Sequence, residues 1–444
     1  MRARGLAALF GTVAASAALM VGGSVAAQAR PLHTMLSGRY VEPPTTAQCL
    51  ATVGIACYSP LQFQHAYNMN TLYGAGLTGA GQTIAIVDSF GSPTIESDLK
   101  IFDKAYGLPD PPSFKIIQPA GPVPAFDRGN STVVGWGVET SLDVEYAHSM
   151  APGANNLLVE TPVAETEGVT GFPQIVQAEN FVINNGLASV ISQSFGATEP
   201  TFPNPQSLLA LRGAFENAAA HGVSVLAASG DAGATDATIG SGFFPFRAVG
   251  WPSSDPLVTS VGGTQLHLDE NGVRLAPDNV WNDTALFGSP AAGGGGVSTV
   301  FARPFYQDSL ASIVGAARGA PDVSMTAAVN GGANVYMGFS GEGLPAPGWY
   351  IIGGTSEATP LFSGVVAIAD QKAGHPLGLL NPALYKLGDA AGSPLVDVTA
   401  GNNTVTFTQE DTTITVSGFD GVPGYDLASG LGTPNGAALV DALG

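Results

Sequence analysis

Residues 188–227 read ASVISQSFGATEPTFPNPQSLLALRGAFENAAAHGVSVLA, and this stretch decides the fold. Two nearly continuous apolar runs, 188–191 and 223–227, have the length and character of strands that are covered on both faces. Between them, apolar residues recur at helical spacing over 207–220, and the His-Gly pair at 221–222 ends that run. The order strand, helix, strand predicts a right-handed crossover that joins two parallel strands.

The same kind of strand recurs elsewhere in the chain, at 83–87 and 257–261. No clean linker or internal repeat follows residue 61, so we predict one large domain over 61–444. Its fold class is α/β, with a mostly parallel central sheet and helices on both faces. The four glycines of 293–296 and the Thr-rich stretch 397–415 are predicted to form loops or edge hairpins.

The first 29 residues have the order of a secretory signal peptide. Arg2 and Arg4 precede an apolar stretch over 6–21, and the small residues of AQA follow at 27–29. We therefore expect export and cleavage after residue 29, which makes the mature protein secreted and extracellular. The apolar stretch is also near the length of a membrane anchor, and this alternative stays open.

Residues 30–60 are polar, contain several prolines, and are interpreted as a short N-terminal extension. Cys49 and Cys57 are the only cysteines of the chain. In an exported protein, such a close pair is expected to form a local disulfide. No later segment is continuously apolar over a membrane-spanning length, so no membrane association of the mature chain is expected.

Composition limits the partners. The chain has 15 Lys and Arg against 35 Asp and Glu, which gives a formal charge of -20 at pH 7. A nucleic acid would be repelled by that charge, so this class of partner is excluded. Protonation of the carboxylates in acid would relieve the self-repulsion, and the composition therefore suits an acidic medium.

The strongest local motif is the stretch 353–360, which reads GGTSEATP and leads into an apolar run. Its glycines allow a sharp turn, and Ser356 can then stand at the start of a helix, with Pro360 in the first turn. A serine there lies beside free backbone N–H groups, which can stabilise an oxyanion. An ordinary helix-capping serine explains this motif equally well.

A nucleophilic serine needs a base, and none of the six histidines has the Gly-Thr-flanked helix start that would suit one. Instead, residues 137–148 read GVETSLDVEYAH and place Glu139 and Asp143 four apart, on one face of a helix. Two ionised carboxylates at this spacing repel each other, which suggests a functional reason for the pair. A solvated acidic surface is the alternative.

A third carboxyl follows a strand. Residues 225–233 read VLAASGDAG, with Asp231 in the turn after the apolar run. Ligands of parallel α/β sheets bind outside the carboxyl ends of the strands. Burial there would raise the pKa of Asp231, and a protonated carboxyl can donate a hydrogen bond to an oxyanion. A plain turn residue is the alternative.

Taken in order along the chain, these three motifs resemble those of the sedolisins, the serine-carboxyl peptidases with a subtilisin-like fold. The resemblance runs from about Tyr58 to the C-terminus. It passes through QTIAIVD at 82–88, APGA at 151–154, VISQS at 190–194, GGGGVS at 293–298 and PDVS at 321–324. Each piece is weak alone, and the ordered set is specific.

The resemblance implies a secreted, acid-active serine-type endopeptidase that acts on proteins or peptides. Separately, we expect the protein to be a monomer. Ser356 is then the nucleophile and Glu139 its base. Asp143 holds Glu139 in place, and Asp231 stabilises the oxyanion together with the Ser356 N–H. Asp88, where subtilisins carry an aspartate of their triad, is interpreted as structural or as an outer part of the site.

Two other functions stay open beside the endopeptidase. The same machinery could serve a tripeptidyl-type exopeptidase, since some sedolisins remove tripeptides. The scaffold could also be that of a non-catalytic, calcium-stabilised secreted binding protein.

The resemblance also implies one structural calcium ion near the C-terminus. Asp397 and Asp426 would bind it through carboxylates, and Val398, Val422 and Gly424 through their carbonyl oxygens, a donor set that calcium favours. Val422 stands where the family often has glycine.

Overall fold

The computed structural model describes residues 34–240, 242–388 and 390–444, and the expected signal peptide lies outside them. Its strands are β1 (Thr34–Tyr40), β2 (Cys57–Tyr58), β3 (Thr83–Ser89), β4 (Phe114–Ile117), β5 (Asn155–Thr161), β6 (Val190–Gln193), β7 (Ala197–Thr198), β8 (Ser224–Ala228), β9 (Gly250–Trp251), β10 (Thr259–Gln265), β11 (Asn279–Val280), β12 (Gly296–Ala302), β13 (Ala317–Ala320), β14 (Val323–Thr326), β15 (Gly332–Met337), β16 (Gly348–Gly353), β17 (Leu395–Val396), β18 (Val405–Gln409), β19 (Thr412–Val416) and β20 (Thr433–Pro434). Its α-helices are α1 (Thr46–Thr52), α2 (Pro60–Ala66), α3 (Asn70–Gly74), α4 (Ile95–Tyr106), α5 (Ser131–Met150), α6 (Phe172–Asn184), α7 (Pro205–Leu209), α8 (Gly213–His221), α9 (Thr284–Phe287), α10 (Ala311–Val314), α11 (Thr355–Ala373), α12 (Asn381–Gly388) and α13 (Gly436–Leu443).

The central sheet has the order β11-β10-β8-β6-β3-β5-β4, with β14 also paired to β10. Every pair in it is parallel except β10 with β11. The strands predicted from the apolar runs correspond to β3, β6, β8 and β10, which confirms the parallel α/β prediction. In the Thr-rich C-terminal stretch, β18 and β19 form an antiparallel hairpin, as expected for part of it.

The prediction of one continuous helix over 207–220 is wrong. Two helices, α7 and α8, are separated at 210–212, where the Leu211 N–H bonds to the Leu208 carbonyl in a tighter turn. Gly213, a poor helix former, begins the second helix. Both Leu208 and Leu211 are nevertheless buried, so the apolar period was correctly interpreted.

Successive side chains of β3 point to opposite faces of the sheet, and each face has its own hydrophobic core. Ile84 and Ile86 face one core, which also contains the apolar residues of α5 and α11. Ala85 and Val87 face the other, which contains those of α6 and α8. Helices therefore cover both faces of the sheet, as predicted.

Residues 34–60, which the sequence sets apart as an extension, contribute to a second sheet of order β1-β16-β15-β2. Strand β1 pairs antiparallel with β16, and β16 leads directly to Ser356. Cys49 and Cys57 form the expected disulfide. The domain boundary at residue 60 stays a prediction. Among the helices that the structure describes, none combines the length and apolar character needed to cross a bilayer.

Candidate active site

Ser356 is the second residue of α11 and is fully buried. The preceding cap, Gly354, has φ 131°, a conformation that residues with a side chain rarely adopt. Its N–H donates to the carbonyl of Ala327 over 2.6 Å, which fixes the turn. The Ser356 hydroxyl donates to the carbonyl of Ser194 over 3.3 Å.

The expectation for Pro360 is wrong. It is the sixth residue of α11, beyond the first turn, so its missing N–H deprives the Ser356 carbonyl of its helical donor. The hydroxyl of Ser194 lies 3.4 Å from the Ser356 carbonyl oxygen, while its single proton is donated to Asp143 over 2.8 Å. The proline therefore leaves the Ser356 carbonyl open to a contact from Ser194, the residue that follows β6.

Glu139 and Asp143 both lie in α5 and are both fully buried, which rules out the solvated acidic surface. Asn130 caps the helix by accepting from two backbone N–H groups and so fixes its start. Burial and the neighbouring carboxyls of Glu139 and Asp88 raise the pKa of Asp143 well above its ordinary value. The Ser194 hydroxyl donates to Asp143 Oδ1 over 2.8 Å and acts in the opposite direction.

Asp231 follows β8 and is held by the residue next to Ser356. Its Oδ1 accepts from the N–H and from the hydroxyl of Thr355, each over 2.8 Å. Its Oδ2 is buried and makes no hydrogen bond within the described residues. Burial, and then the charges of Glu139 and Asp236, raise the pKa of Asp231 well above its ordinary value. A proton on Oδ2 would leave that oxygen available as a donor.

Asp88 also belongs to the acidic cluster, which consists of Asp88, Glu139, Asp143 and Asp231. It lies near the carboxyl end of β3 and is fully buried. Burial and then the charge of Glu139 raise the pKa of Asp88 well above its ordinary value, against the effect of the Thr140 hydroxyl. Of the two roles considered for Asp88, an outer part of the site agrees best with this position.

The described histidines all bond away from this cluster. His65, His221 and His375 bond to the backbone oxygens of Asn271, Asn217 and Pro376, and His267 bonds to the side chain of Asn279. His148 bonds to the carbonyl of Pro109 and lies 3.2 Å from the carboxyl of Asp103, which is outside the cluster. Among the residues that the structure describes, a base for Ser356 is thus to be sought among carboxyls.

Sequence reasoning assigned no catalytic or connecting role to two residues that connect the site, Ser194 and Thr355. Ser194 contacts both Ser356 and Asp143, and Thr355 holds Asp231. The available signal was position, because Ser194 directly follows β6, at the carboxyl edge where β3 and β8 also end.

The residues expected to bind calcium converge on one loop. Asp397 Oδ2 accepts from the N–H of Gly424 over 2.9 Å, and Asp426 Oδ2 from the N–H of Val422 over 3.1 Å. The carbonyl of Val398 lies directly against Gly421, where a Cβ would come within 2.9 Å of it. Carboxylates and carbonyls are the oxygen donors that calcium prefers, so the residue types suit a calcium ion. Both oxygens of Asp426 accept backbone hydrogen bonds here, from Val422, Ala428 and Ser429.

Comparison with known proteins agrees with this geometry. The model of the subtilase family matches residues 131–386. Kumamolisin from Bacillus sp. (strain MN-32) is 33% identical over 87% of this chain and 63% of its own length. Tripeptidyl-peptidase 1 of Canis lupus familiaris is 28% identical over 93% of this chain and 70% of its own length.

A solved structure is similar over nearly its whole length. Pseudomonas sedolisin (serine-carboxyl proteinase), complexed with two molecules of pseudo-iodotyrostatin, superposes with a TM-score of 0.71 and 27% identity. The match covers 87% of this chain and 98% of that one. The chain therefore belongs to the subtilase family and, within it, to the sedolisins, the serine-carboxyl peptidases.

Proposed function

We propose that this protein is a secreted, acid-active endopeptidase that hydrolyses peptide bonds through an acyl-enzyme at Ser356. The observation that carries the proposal is the pair of links from the nucleophile to the buried acids. Ser194 contacts both Ser356 and Asp143, and Thr355, the residue before the nucleophile, donates to Asp231.

In the first step, the Ser356 oxygen attacks the scissile carbonyl carbon and its proton passes to the carboxylate of Glu139. Asp143, one helical turn from Glu139, positions that base. The charge that develops on the carbonyl oxygen is met by the Ser356 N–H and by a proton on Asp231 Oδ2. Burial of the cluster strengthens these interactions because water cannot compete.

The tetrahedral intermediate then collapses, and the C–N bond breaks as Glu139 returns its proton to the leaving amine. The acyl group stays on the Ser356 oxygen as an ester. Water attacks the ester carbon, Glu139 accepts the proton from that water, and the C–O bond to Ser356 breaks with return of the proton to serine. The reaction consumes one water and leaves the enzyme unchanged.

Acid activity follows from the proton that Asp231 must carry. Because burial raises its pKa, Asp231 keeps that proton above the ordinary range of an aspartate. Activity then falls as the pH rises through the pKa of Asp231, since an ionised Asp231 would repel the oxyanion.

The C-terminal loop completes the proposed protein with one structural calcium ion. Asp397 and Asp426 would bind through carboxylates, and Val398, Val422 and Gly424 through carbonyls. The ion would hold the two carboxylates and the 422–424 loop together and takes no part in the chemistry.

The deciding experiment uses one peptide of about twelve residues in two forms, with a free and with an acetylated N-terminus, between about pH 3 and 5. An endopeptidase cleaves both forms, whereas a tripeptidyl-peptidase releases tripeptides from the free form alone. Ser356→Ala and Glu139→Gln should abolish cleavage of either form. If no peptide is cleaved, or if Ser356→Ala cleaves like the parent protein, the proposal is wrong.

A further inference from the structure

A cavity of about 200 Å³ lies beside the acidic cluster. Its lining combines the apolar side chains of Phe90, Val123, Phe126 and Val133 with Ser92 and Glu160. Its position is set by two elements of the active site. The residues 90–93 follow directly after β3, which carries Asp88, and Val133 lies in α5.

Helix geometry gives the distance scale. Val133 precedes Glu139 by six residues of α5, about 9 Å along the helix axis. An extended peptide advances about 3.3 Å per residue. The cavity is therefore within reach of a substrate side chain about three residues from the scissile bond.

Glu160 is held in a fixed position in this cavity. It is 6% exposed, and its Oε2 accepts from the amide of Gln118 over 2.8 Å. Its Oε1 packs against Gly91, where a Cβ would come within 1.9 Å of that oxygen. Gly91 also has φ 73°, so a side chain is excluded there by space and by conformation.

Two further observations indicate a binding site. The hydroxyl of Ser92 is buried in the lining and makes no hydrogen bond within the described residues, which is uncommon for a buried polar group. Phe90 has φ 63°, a left-handed conformation that is rare for a bulky residue and clusters at functional sites. Both residues follow the end of β3 and line the cavity.

The lining indicates the chemistry of the occupant. A lining that combines apolar side chains with one carboxyl matches a side chain with a long aliphatic stem and a cationic head. The rings of Phe90 and Phe126 can pack against a guanidinium. Burial raises the pKa of Glu160, and a cation at close range would favour the ionised form again.

We propose that this cavity is a substrate subsite that selects an arginine or lysine side chain, with Glu160 pairing to its cation. The inference rests on the proposed function, because it assumes that a peptide lies along the carboxyl edge of the sheet. A peptidase with this subsite prefers substrates that carry a basic residue there, unlike a peptidase whose subsites accept apolar side chains alone.

The test measures binding in the Ser356→Ala background, where no probe is cleaved. The probes are fluorescent peptides of eight residues that carry arginine, or its neutral isostere citrulline, at each position in turn. At one position, arginine should bind about tenfold more tightly than citrulline, as expected for a charge-assisted contact. Glu160→Gln, which retains an oxygen for Gln118, should reduce that ratio to near one.

Two matched variants control the result. Glu96→Gln removes an exposed charge from the adjoining cleft and should leave the ratio unchanged. Val123→Trp fills the cavity from a surface loop and should remove the ratio even if Glu160→Gln misfolds. Equal affinity for arginine and citrulline at every position overturns the inference, as does a ratio that survives both Glu160→Gln and Val123→Trp.

Cleavage by the protein with Ser356 intact separates this inference from the proposed function. Selective binding of arginine without any cleavage contradicts the peptidase proposal and keeps the subsite. Cleavage without any arginine selectivity contradicts the subsite and keeps the peptidase.

Discussion

Glu179 provides a test of acid stability that does not depend on catalysis. It lies in α6 and is 1% exposed, with the amide of Gln193 as its hydrogen-bond donor. Burial raises the pKa of Glu179 to about 8, while the contact with Gln193 acts in the opposite direction. The folded protein therefore holds a proton there that the unfolded chain, with an ordinary pKa near 4.3, has released at neutral pH.

The sign follows from this difference. Because the pKa in the folded state is the higher one, the stabilisation is complete in acid and is lost as the pH rises from about 4 towards 8. Between pH 4 and pH 7 the loss corresponds to about 2.5 pH units, or about 3 kcal/mol of unfolding free energy. A chain of this length unfolds with an entropy of about 0.9 kcal/mol per kelvin, so the loss is about 3 to 4 °C in Tm.

The measurement is the Tm of the parent protein and of Glu179→Gln at pH 4 and at pH 7. Glutamine resembles the protonated acid and cannot ionise, so the variant should gain about 3 to 4 °C on the parent between the two values of pH. Any constant effect of the substitution cancels in this comparison. Glu270→Gln, at an exposed turn, should show no such gain. Parallel Tm curves for the parent and Glu179→Gln would refute the assignment of a buried, protonated Glu179.

Three further predictions concern the site and the calcium loop. Asp231→Ala should lower kcat by about 10² to 10³, whereas Asp231→Asn, whose amide donates at every pH, should extend the alkaline limb of kcat/KM; an unmoved limb would contradict the role of the proton. Ser194→Ala should raise the pKa of Asp143 further and shift the acid limb of the pH–rate profile, with about a tenfold loss of kcat. Ser194→Thr should restore both. An unchanged pH profile in Ser194→Ala would make Ser194 merely structural. Near pH 6, removing calcium with a chelator should lower the unfolding free energy by up to about 2.7 kcal/mol, compared with protein in calcium at a hundred times its Kd. Asp397→Asn should make Tm insensitive to the chelator. A parent protein whose Tm is already insensitive to the chelator would exclude the ion.

The fold could be predicted because its signal is local. Strands buried on both faces are apolar throughout, so β3, β6, β8 and β10 are visible as runs without any knowledge of their neighbours. The break between α7 and α8 was missed, since an apolar period persists across a tightened turn. Pro360 was misplaced by a few residues, the usual scale of uncertainty at a helix terminus.

The acidic cluster shows where sequence reasoning ends. Two carboxyls four apart on a helix favour a solvated face when the helix is considered alone, and this alternative stayed open for Glu139 and Asp143. The structure buries α5 between the central sheet and β15, with α11 packed along it. Burial on every side cannot be inferred from the helix itself, because it depends on elements distant in the chain.

The sequence by itself determined the parallel α/β class, the resemblance to the sedolisins, and the identity of the nucleophile and acids as candidates. Only the tertiary structure decided how they are connected: Ser194 contacts a residue 51 positions before it and another 162 positions after it. The cavity at Glu160 likewise needs β3, β5 and the loop before α5 together. Local patterns record which face of a segment is apolar, whereas contacts between distant segments depend on how the whole chain packs.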